Sequence, residues 1–371
     1  FDDPAPCFRA EREIARPASG GTPFVGRQAE LDILRKAWRD VRTGPPSAVL
    51  IAGEAGIGKS RLIRQFNEGP LSDGATVLRW NGAEDTRHSS LHPIVQQLQQ
   101  ALPELAAGDA GQAVAALVSM LPASLDRARL IPILGWLLSV TVGPPFPPLE
   151  GTAKGLREVV QAALADWLVH ESRRRPLLLV LEDVRWMDPS TLEVVTRVAR
   201  ATGAGPLLLL MSCRTETSET WSCPFATRVL SLGRLPADAA RSMVRASPGA
   251  AHLSDALVRQ LIERTDGIPL FIEESVTMAI DTAALGTVEE NQVREGASPP
   301  IVPARLTDLL VERLDRVGDA RETAGIAAAI GREFTHSLLR SISAVKGDAL
   351  EEQLDVLLRS GLVHLVDTAA E

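Results

Sequence analysis

One eight-residue stretch of the sequence has the residue types and spacing of a phosphate-binding loop. Residues 53–60 read GEAGIGKS, which matches G-x-x-x-x-G-K-(S/T) in full, and the apolar residues 49–52 come directly before them. Such glycines let the backbone turn its N–H groups toward phosphate oxygens, while Lys59 can reach the β and γ phosphates and the Ser60 hydroxyl can ligate Mg²⁺. A helix beginning here would direct its positive end at the same anion. The stretch predicts a site for ATP or ADP with Mg²⁺, formed by Gly53, Gly56, Gly58, Lys59, Ser60 and Arg61.

A pair of carboxylates follows a second apolar run. Residues 177–181 read LLLVL, and Glu182 and Asp183 come next. At the end of a buried strand beside a phosphate loop, one carboxylate can belong to the Mg²⁺ shell while the other orients or deprotonates the attacking water. We assign Glu182 to the metal and Asp183 to the water, and the reverse order stays open. The alternative interpretation is a solvated strand end that takes no part in chemistry.

Two further polar residues have both a structural and a functional interpretation. Arg214 follows the apolar run 207–211, and a guanidinium at a strand tip can fork onto the γ phosphate and respond to its presence. Without other support, an ordinary surface arginine is the favoured interpretation. Asp188 precedes Pro189, and we favour a helix N-cap over a second catalytic acid because Pro is common at the first helical position.

Short apolar runs without alternation predict the fold class. Strands that are covered on both faces have such runs, as in a parallel sheet with helices around it. The sequence therefore predicts an α/β fold, a P-loop NTPase domain with a parallel sheet flanked by helices, followed by a small helical domain and a winged-helix-like domain. The runs are residues 49–52, 77–80, 177–181, 207–211 and 229–232.

Composition shifts along the 371 residues predict where these domains begin and end. Prolines and glycines near the amino end predict a linker, and helical periodicity dominates after the last predicted strand of the sheet. We expect the chain to be part of a longer protein. The predicted segments are a linker at 1–22, the nucleotide-binding domain at 23–235 with a helical insertion at about 88–170, the small helical domain at 236–284, a mobile linker at 285–300 and the winged-helix-like domain at 301–371.

Charge and cysteine content argue against several function classes. The formal net charge is −8, so the chain has no overall basic footprint for nucleic acid or an anionic membrane. Residues 301–371 hold eight Lys and Arg against twelve Asp and Glu, which disfavours contact with nucleic-acid phosphates there. The three cysteines fit neither a disulfide framework nor a zinc site, and no apolar stretch reaches membrane-spanning length. We predict a cytoplasmic protein that does not bind membranes.

Four segments together resemble the STAND class of signalling ATPases, and they span most of the chain. More narrowly, the chain is similar to the ATPase module of large bacterial regulators fused to class III adenylate cyclases or protein kinases, and to that of large LuxR-type transcription factors. Residues 303–310 and 330–334 add to the likeness. The four segments are FVGR at 24–27, GEAGIGKS at 53–60, LED at 181–183 with Trp186 and DPST at 188–191, and TDGIPLFIEE at 265–274.

The resemblance implies a nucleotide-binding domain, a small helical domain and a winged helix that close over ADP or ATP. Where these relatives often have His-Trp-Ala-Asp, residues 185–188 read RWMD, so no role of that histidine is carried over. The carboxyl-terminal segment also lacks an obvious Met-His-Asp motif. The site residues that the resemblance implies are Gly26 and Arg27 at the nucleotide, Gly267 and Pro269 on its adenine side, and Arg214 as the sensor of the γ phosphate.

Two function hypotheses follow from these motifs. The first is a regulatory switch that binds ATP or ADP with Mg²⁺, hydrolyses ATP slowly and controls a fused or partner signalling domain, with ATP-dependent homo-oligomerisation as an option. The second is an AAA+ type enzyme that hydrolyses ATP continuously to remodel a substrate. That enzyme would need an arginine finger from a neighbouring subunit and a substrate-gripping pore loop, and the sequence identifies neither.

Overall fold

The computed structural model describes residues 7–10, 24–102, 110–121, 124–147, 149, 151–201, 203–214, 222–284, 314, 317–331, 333–360 and 362–366. Two compact units make up the chain. We call Gly26–Gly233 the sheet unit, and we call Phe1–Val25 together with Arg234–Glu371 the terminal unit.

Strands and helices alternate through much of the sheet unit. Among the described residues, the strands are β1 Cys7–Ala10, β2 Ser47–Gly53, β3 Thr76–Asn81, β4 Leu177–Glu182, β5 Leu207–Cys213, β6 Thr227–Leu232, β7 Glu333–Thr335 and β8 Val363–Val366. Among the described residues of both units, the α-helices are α1 Gln28–Thr43, α2 Lys59–Ser72, α3 His92–Ala101, α4 Ala110–Met120, α5 Arg127–Leu137, α6 Ala153–Arg174, α7 Pro189–Arg200, α8 Ala237–Arg245, α9 Asp255–Thr265, α10 Pro269–Ala284, α11 Ala320–Ile330, α12 His336–Ile342 and α13 Asp348–Arg359.

The sheet unit is built on a five-stranded parallel sheet in the order β3-β4-β5-β2-β6. Every residue of β4 and β5 is buried, which explains why their sequences are apolar without alternation. Leu179 and Leu209, which lie on one face of these strands, join a core with buried residues of α3 to α7. The α/β fold with a parallel sheet flanked by helices, predicted from the apolar runs, is confirmed.

The order of the strands determines which loops lie next to each other at the carboxyl edge of the sheet. Because β5 lies between β2 and β4, its carboxyl end separates the loop that follows β2 from the residues that follow β4. Registered pairs fix this arrangement, since Ala52 lies opposite Cys213 and Leu181 lies opposite Met211. Ligands of open parallel sheets bind at this carboxyl edge. The sheet therefore brings three separate stretches of the sequence to one place.

Helices α3 to α6 lie between β3 and β4, in the segment predicted as a helical insertion. The last of them ends at Arg174, four residues beyond the boundary expected from the sequence. This helix is long because it reaches the start of β4 with only Arg175 and Pro176 between them. None of the helices in the described ranges combines the length and apolar character that crossing a membrane requires.

Buried side chains among the described residues of the terminal unit form two cores. Buried side chains of α8, α9 and α10 form one of them, and Val25 packs against it. The other joins α11, α12 and α13 beside an antiparallel sheet in the order β7-β1-β8. The division of this unit into a small helical domain and a winged-helix-like domain remains a prediction, and the predicted linker at 285–300 lies outside the described residues.

One expectation about the amino end needs correction. Residues 1–22 were expected to be a linker, but Cys7–Ala10 forms strand β1. It pairs antiparallel with β7 on one side and with β8 on the other, so it supplies the hydrogen-bonding partner that these two short strands share. Four residues between prolines give too short a pattern for sequence reasoning to recognise a strand whose partners lie at the other end of the chain.

The loop before β5 provides a test of the packing in the sheet unit. Gly205 lies so close to the end of α6 that a Cβ would come within 3.0 Å of the Ser172 carbonyl oxygen. We expect Gly205→Ala to lower the free energy of unfolding by about 1–3 kcal/mol, because backbone has to move to admit the methyl group. Urea unfolding followed by circular dichroism measures the change.

Gly143→Ala is the matched control for this substitution, because a Cβ at Gly143 meets nothing within 4 Å. We expect it to be neutral or to stabilise by about 0.4–1 kcal/mol through the smaller entropy of the unfolded chain. Equal unfolding midpoints for the two variants would contradict the close approach of the loop and α6.

Candidate nucleotide-binding site

The phosphate loop joins the end of β2 to the start of α2. Gly56 has φ 72° and Gly58 has φ 98°, both in the left-handed region where a Cβ is unfavourable. Gly58 is the N-cap of α2, and as a glycine it has no side chain with which to cap this helix end. Its first N–H groups are therefore directed at the loop, which makes the helix start an anion site. At Gly53, a Cβ would lie 2.9 Å from Ile57 Cγ2, so the loop curls too tightly for a side chain there.

Lys59 and Ser60 are the first two residues of α2, and Arg61 follows in the same turn. The Lys59 ammonium donates to the carbonyl oxygens of Gly53 at 3.0 Å and Glu54 at 2.8 Å, so its head group lies over the loop. A phosphate in the loop would meet this charge and the helix N-terminus together. The Ser60 side chain is exposed beside it, as a hydroxyl that ligates Mg²⁺ has to be. The loop therefore fits a nucleotide phosphate with Mg²⁺.

Glu182 is the last residue of β4 and is 8% exposed. Its Oε1 lies 2.5 Å from an Nη2 donor of Arg79 on the neighbouring strand β3. The carboxylate of Glu182, which the sequence assigned to Mg²⁺, is paired with a guanidinium here, and the assignment to the metal stays a prediction. Sequence reasoning missed Arg79 because a single charged residue in a strand is usually an ordinary exposed side chain. A charge within the otherwise apolar run 77–80 could nevertheless have indicated a polar partner.

Asp183 has φ 53° and ψ 55°, a conformation that non-glycine residues rarely adopt. Its N–H donates to Ser212 Oγ at 3.0 Å, which ties the turn after β4 to the end of β5. Gly82 allows this turn, since a Cβ there would lie 2.6 Å from the Asp183 carbonyl oxygen. The backbone N–H of Gly82 also donates to the Glu182 carbonyl oxygen at 2.9 Å. The turn after β4 is therefore held by both neighbouring strands.

The end of β5 lies between the phosphate loop and the carboxylates. Burial raises the pKa of the Cys213 thiol, the Lys59 ammonium opposes the shift and Asp183 adds to it. Both charges therefore act on this one thiol at the end of β5. The thiol stays protonated at neutral pH and is no nucleophile. Arg214 follows directly, partly exposed at the same edge, so the structure locates the predicted sensor arginine with the loop and the carboxylates.

Arg27 is the N-cap of α1 and is 7% exposed. Its guanidinium contacts Glu30 at 3.0 Å and donates to the carbonyl oxygens of Ile57 at 3.4 Å and Gly233 at 2.5 Å. Arg27 therefore reaches the phosphate loop through a loop carbonyl. Gly26, before it, has φ 70° and is exposed.

Gly267 and Pro269 belong to the terminal unit. Gly267 has φ 71°, and its carbonyl oxygen accepts from the Leu235 N–H at 2.8 Å. A Cβ at Gly267 would lie 2.5 Å from the Leu235 carbonyl oxygen, so close backbone packing accounts for the glycine. Pro269 is the first residue of α10, where its missing N–H costs nothing. Their part in nucleotide binding remains a prediction.

Asp188 is a structural residue, as we favoured from the sequence. It is 2% exposed and caps α7 by accepting from the N–H groups of Ser190 and Thr191, each at 3.0 Å. The Thr191 hydroxyl donates to it at 2.6 Å and the Leu91 N–H at 3.0 Å. Four hydrogen bonds leave it suited to fixing the turn after β4 and the loop before α3, rather than to moving protons. The bond to Leu91 links residues 97 apart, so no sequence pattern indicated it.

Comparison with known proteins gives a family match. A family model described as an AAA ATPase domain matches residues 23–210. Uncharacterized protein R02095 of Rhizobium meliloti (strain 1021) is 31% identical over 354 residues, which make up 92% of this chain and 33% of that protein. The chain thus spans about a third of the length of this relative.

Two solved structures illustrate the similarity of this chain to known folds. Aeropyrum pernix ORC1 in complex with DNA has a TM-score of 0.47 and 16% identity, covering 96% of this chain and 88% of that one. A RuvB variant of Thermotoga maritima has a TM-score of 0.39 and 13% identity, covering 91% of this chain and 89% of that one.

The phosphate loop makes a direct prediction about affinity. Lys59→Ala is expected to weaken binding of ADP and ATP by about 10- to 150-fold, since a hydrogen bond to a charged group contributes about 1.5–3 kcal/mol. Isothermal titration calorimetry with Mg²⁺ present measures both affinities. Lys36→Ala is the matched control, because Lys36 is an exposed lysine of α1 that forms an ion pair with Asp40 at 3.8 Å. If Lys59→Ala binds ADP and ATP as tightly as the parent does, the assignment of residues 53–60 as the phosphate-binding loop is wrong.

Proposed function

Because this chain belongs to the family of AAA ATPase domains, we propose that it is a regulatory switch that binds ATP and ADP, hydrolyses ATP slowly with Mg²⁺ and controls a signalling domain attached to it. The observation that carries the proposal is the ion pair between Arg79 and Glu182 at the end of β4. This pair engages one of the two carboxylates that hydrolysis would use, at the same sheet edge as the phosphate loop.

Binding relies on groups that the chain already presents at one edge of its sheet. The N–H groups at the start of α2 and the Lys59 ammonium provide a positive environment for the β and γ phosphates. Ser60 and one of the two carboxylates would hold Mg²⁺, which neutralises charge on the phosphates when bound. Arg214 stands at the tip of β5, where a guanidinium can fork onto γ phosphate oxygens.

Hydrolysis needs a water molecule aligned with the γ phosphate. Asp183 is the residue that we assign to orient and deprotonate it, because the strained turn at Asp183 is fixed by Ser212 and Gly82 on either side. Strain of this kind persists where surrounding structure over-determines it, and it is common at functional sites. Glu182 is the candidate for the metal shell, and the opposite order of the two roles stays open.

The ion pair of Arg79 with Glu182 contributes a modest part of the slow turnover, about two- to five-fold. A carboxylate that accepts a charge-assisted hydrogen bond at 2.5 Å has to leave or share its partner before it can serve a metal or a water. Arg79 is 40% exposed at its side chain, so the cost of separation is modest, about 0.5–1 kcal/mol. Such a pair slows each turnover while leaving nucleotide binding intact, which suits a switch whose state has to persist.

A switch also requires that ATP and ADP favour different arrangements of the protein. A ligand shifts an equilibrium only by its differential affinity for the two states. The γ phosphate is the difference between the two nucleotides, and Lys59 and Arg214 are the charged groups positioned to respond to it. Since the chain spans a third of its relative, the output domain would lie in the rest of the longer protein. Cyclase, kinase and transcription-factor outputs, and ATP-dependent homo-oligomers, all fit this arrangement.

Steady-state ATP turnover separates this switch from a remodelling enzyme. We expect the 371-residue parent to turn over below about 0.1 s⁻¹, against a median enzyme value of about 10 s⁻¹. Arg79→Gln should raise turnover about two- to five-fold, because it releases about 0.5–1 kcal/mol of ion pairing from Glu182. Asp183→Asn should bind nucleotide as the parent does and lose turnover by about 10²- to 10⁴-fold.

Arg35→Gln is the matched control, since Arg35 forms an exposed ion pair with Asp32 on α1 and should leave turnover unchanged. A parent that turns over at about 10 s⁻¹ would favour continuous remodelling instead. Unchanged or lower turnover of Arg79→Gln would contradict the restraint that we assign to the Arg79 pair.

A further inference from the structure

The chain passes between its two units twice, and a glycine stands at each crossing. The crossings are the peptide bonds between Val25 and Gly26 and between Gly233 and Arg234. Gly26 has φ 70°, and a Cβ at Gly233 would meet nothing within 4 Å. Both glycines thus place few steric limits on the backbone at the points where the units are joined.

Residues beside each crossing are anchored firmly on the terminal side. Val25 packs against the core formed by α8, α9 and α10. Arg234 forms an ion pair with Asp266, and Leu235 is buried with its N–H donating to the Gly267 carbonyl oxygen at 2.8 Å. A change in the backbone dihedral angles at either glycine would therefore move residues that are packed and hydrogen-bonded within the terminal unit.

On the sheet side, a single side chain connects both crossings with the phosphate loop. Arg27 follows Gly26 directly, and one of its Nη2 donors bonds the Gly233 carbonyl oxygen at 2.5 Å. The other Nη2 donor bonds the Ile57 carbonyl oxygen at 3.4 Å, and Nη1 contacts Glu30 at 3.0 Å. Both N–H groups of Nη2 are thus used by backbone carbonyls. Ile57 lies between the two left-handed glycines of the loop, so its carbonyl orientation depends on the loop conformation.

We propose that Arg27 is a positioning residue that couples occupancy of the phosphate loop to the two crossings between the units. When phosphate draws the loop N–H groups inward, the Ile57 carbonyl oxygen changes its position relative to the guanidinium, and Arg27 passes that change to the backbone at Gly26 and Gly233. This role differs from the direct nucleotide contact that the resemblance implies. It rests on the proposed switch, for which it supplies a physical connection.

The geometry of the side chain explains why arginine is needed. Its planar fork bonds two carbonyl oxygens and a carboxylate at once, while lysine presents a single compact ammonium on a flexible stem. Arg27→Lys keeps the positive charge beside Glu30 and removes the fixed spacing between the Ile57 and Gly233 carbonyl oxygens. The coupling is therefore expected to fail while the charge is retained.

Distances between the units can be followed by double electron–electron resonance on spin labels. Ser72→Cys in the sheet unit and Ala256→Cys in the terminal unit supply exposed label sites, in a chain with Cys7→Ser and Cys223→Ser; Cys213 is buried and is kept. Spectra are recorded without nucleotide and with saturating ADP or a non-hydrolysable ATP analogue. We expect the parent distance distribution to shift on nucleotide binding.

Arg27→Lys is expected to lose this shift while its nucleotide affinity changes by less than about tenfold, or 1.4 kcal/mol. Glu30→Gln, which removes the carboxylate charge but leaves a hydrogen-bond acceptor, should reduce the shift, and it decides the question if Arg27→Lys does not fold. Arg35→Lys, an exposed substitution on the same helix, should behave as the parent does.

The possible results distinguish this inference from the proposed function. If nucleotide does not change the distance between the spin labels in the parent, both the proposed switch and the coupling by Arg27 are overturned. A parent that shifts, with Arg27→Lys and Glu30→Gln shifting equally, would overturn the role of Arg27 alone. A loss of affinity of about 100-fold with a full shift at saturation would instead make Arg27 a nucleotide ligand and would also overturn the proposal.

Discussion

The parallel register of β2, β5 and β4 is the constraint on which the site depends. Side by side, these strands bring the phosphate loop, the tip of β5 and the carboxylates of β4 to one edge. Because every residue of β4 and β5 is buried, a slip by one residue would require the close-packed side chains on both faces of these strands to repack. Short-range hydrogen bonds then set the details, such as the strained turn at Asp183 against Ser212. Apolar packing of the strands therefore determines where the site lies, and hydrogen bonds determine how its polar residues are oriented.

Much of this arrangement could be predicted from the sequence, because its signals are local. The phosphate loop is specified by glycines whose spacing matches their backbone roles, and Gly56 and Gly58 do adopt left-handed conformations. Buried strands are specified by continuous apolar runs, and the N-cap role of Asp188 by the proline that follows it. In each case a few neighbouring residues contain the physical reason for the structure. The fold class and the residues at the loop therefore followed without knowledge of the tertiary contacts.

What escaped prediction depends on partners that are distant in the sequence. The pairing of Arg79 with Glu182 spans 103 residues, and that of Arg27 with Gly233 spans 206. Strand β1 was missed for the same reason, since its partners β7 and β8 lie at the opposite end of the chain. These contacts change how residues found from motifs are understood. Glu182 is paired with Arg79 while its assignment to Mg²⁺ stays a prediction, and Arg27 bonds two backbone carbonyl oxygens.

The central claim is that the edge of this sheet binds a nucleotide and keeps it. Its most direct test is to denature freshly purified 371-residue protein and to quantify the released nucleotide by chromatography. The account predicts ADP at close to one molecule per chain, because a slow switch retains its product. A chain that releases no nucleotide, and that also binds neither added ADP nor added ATP, would contradict the account.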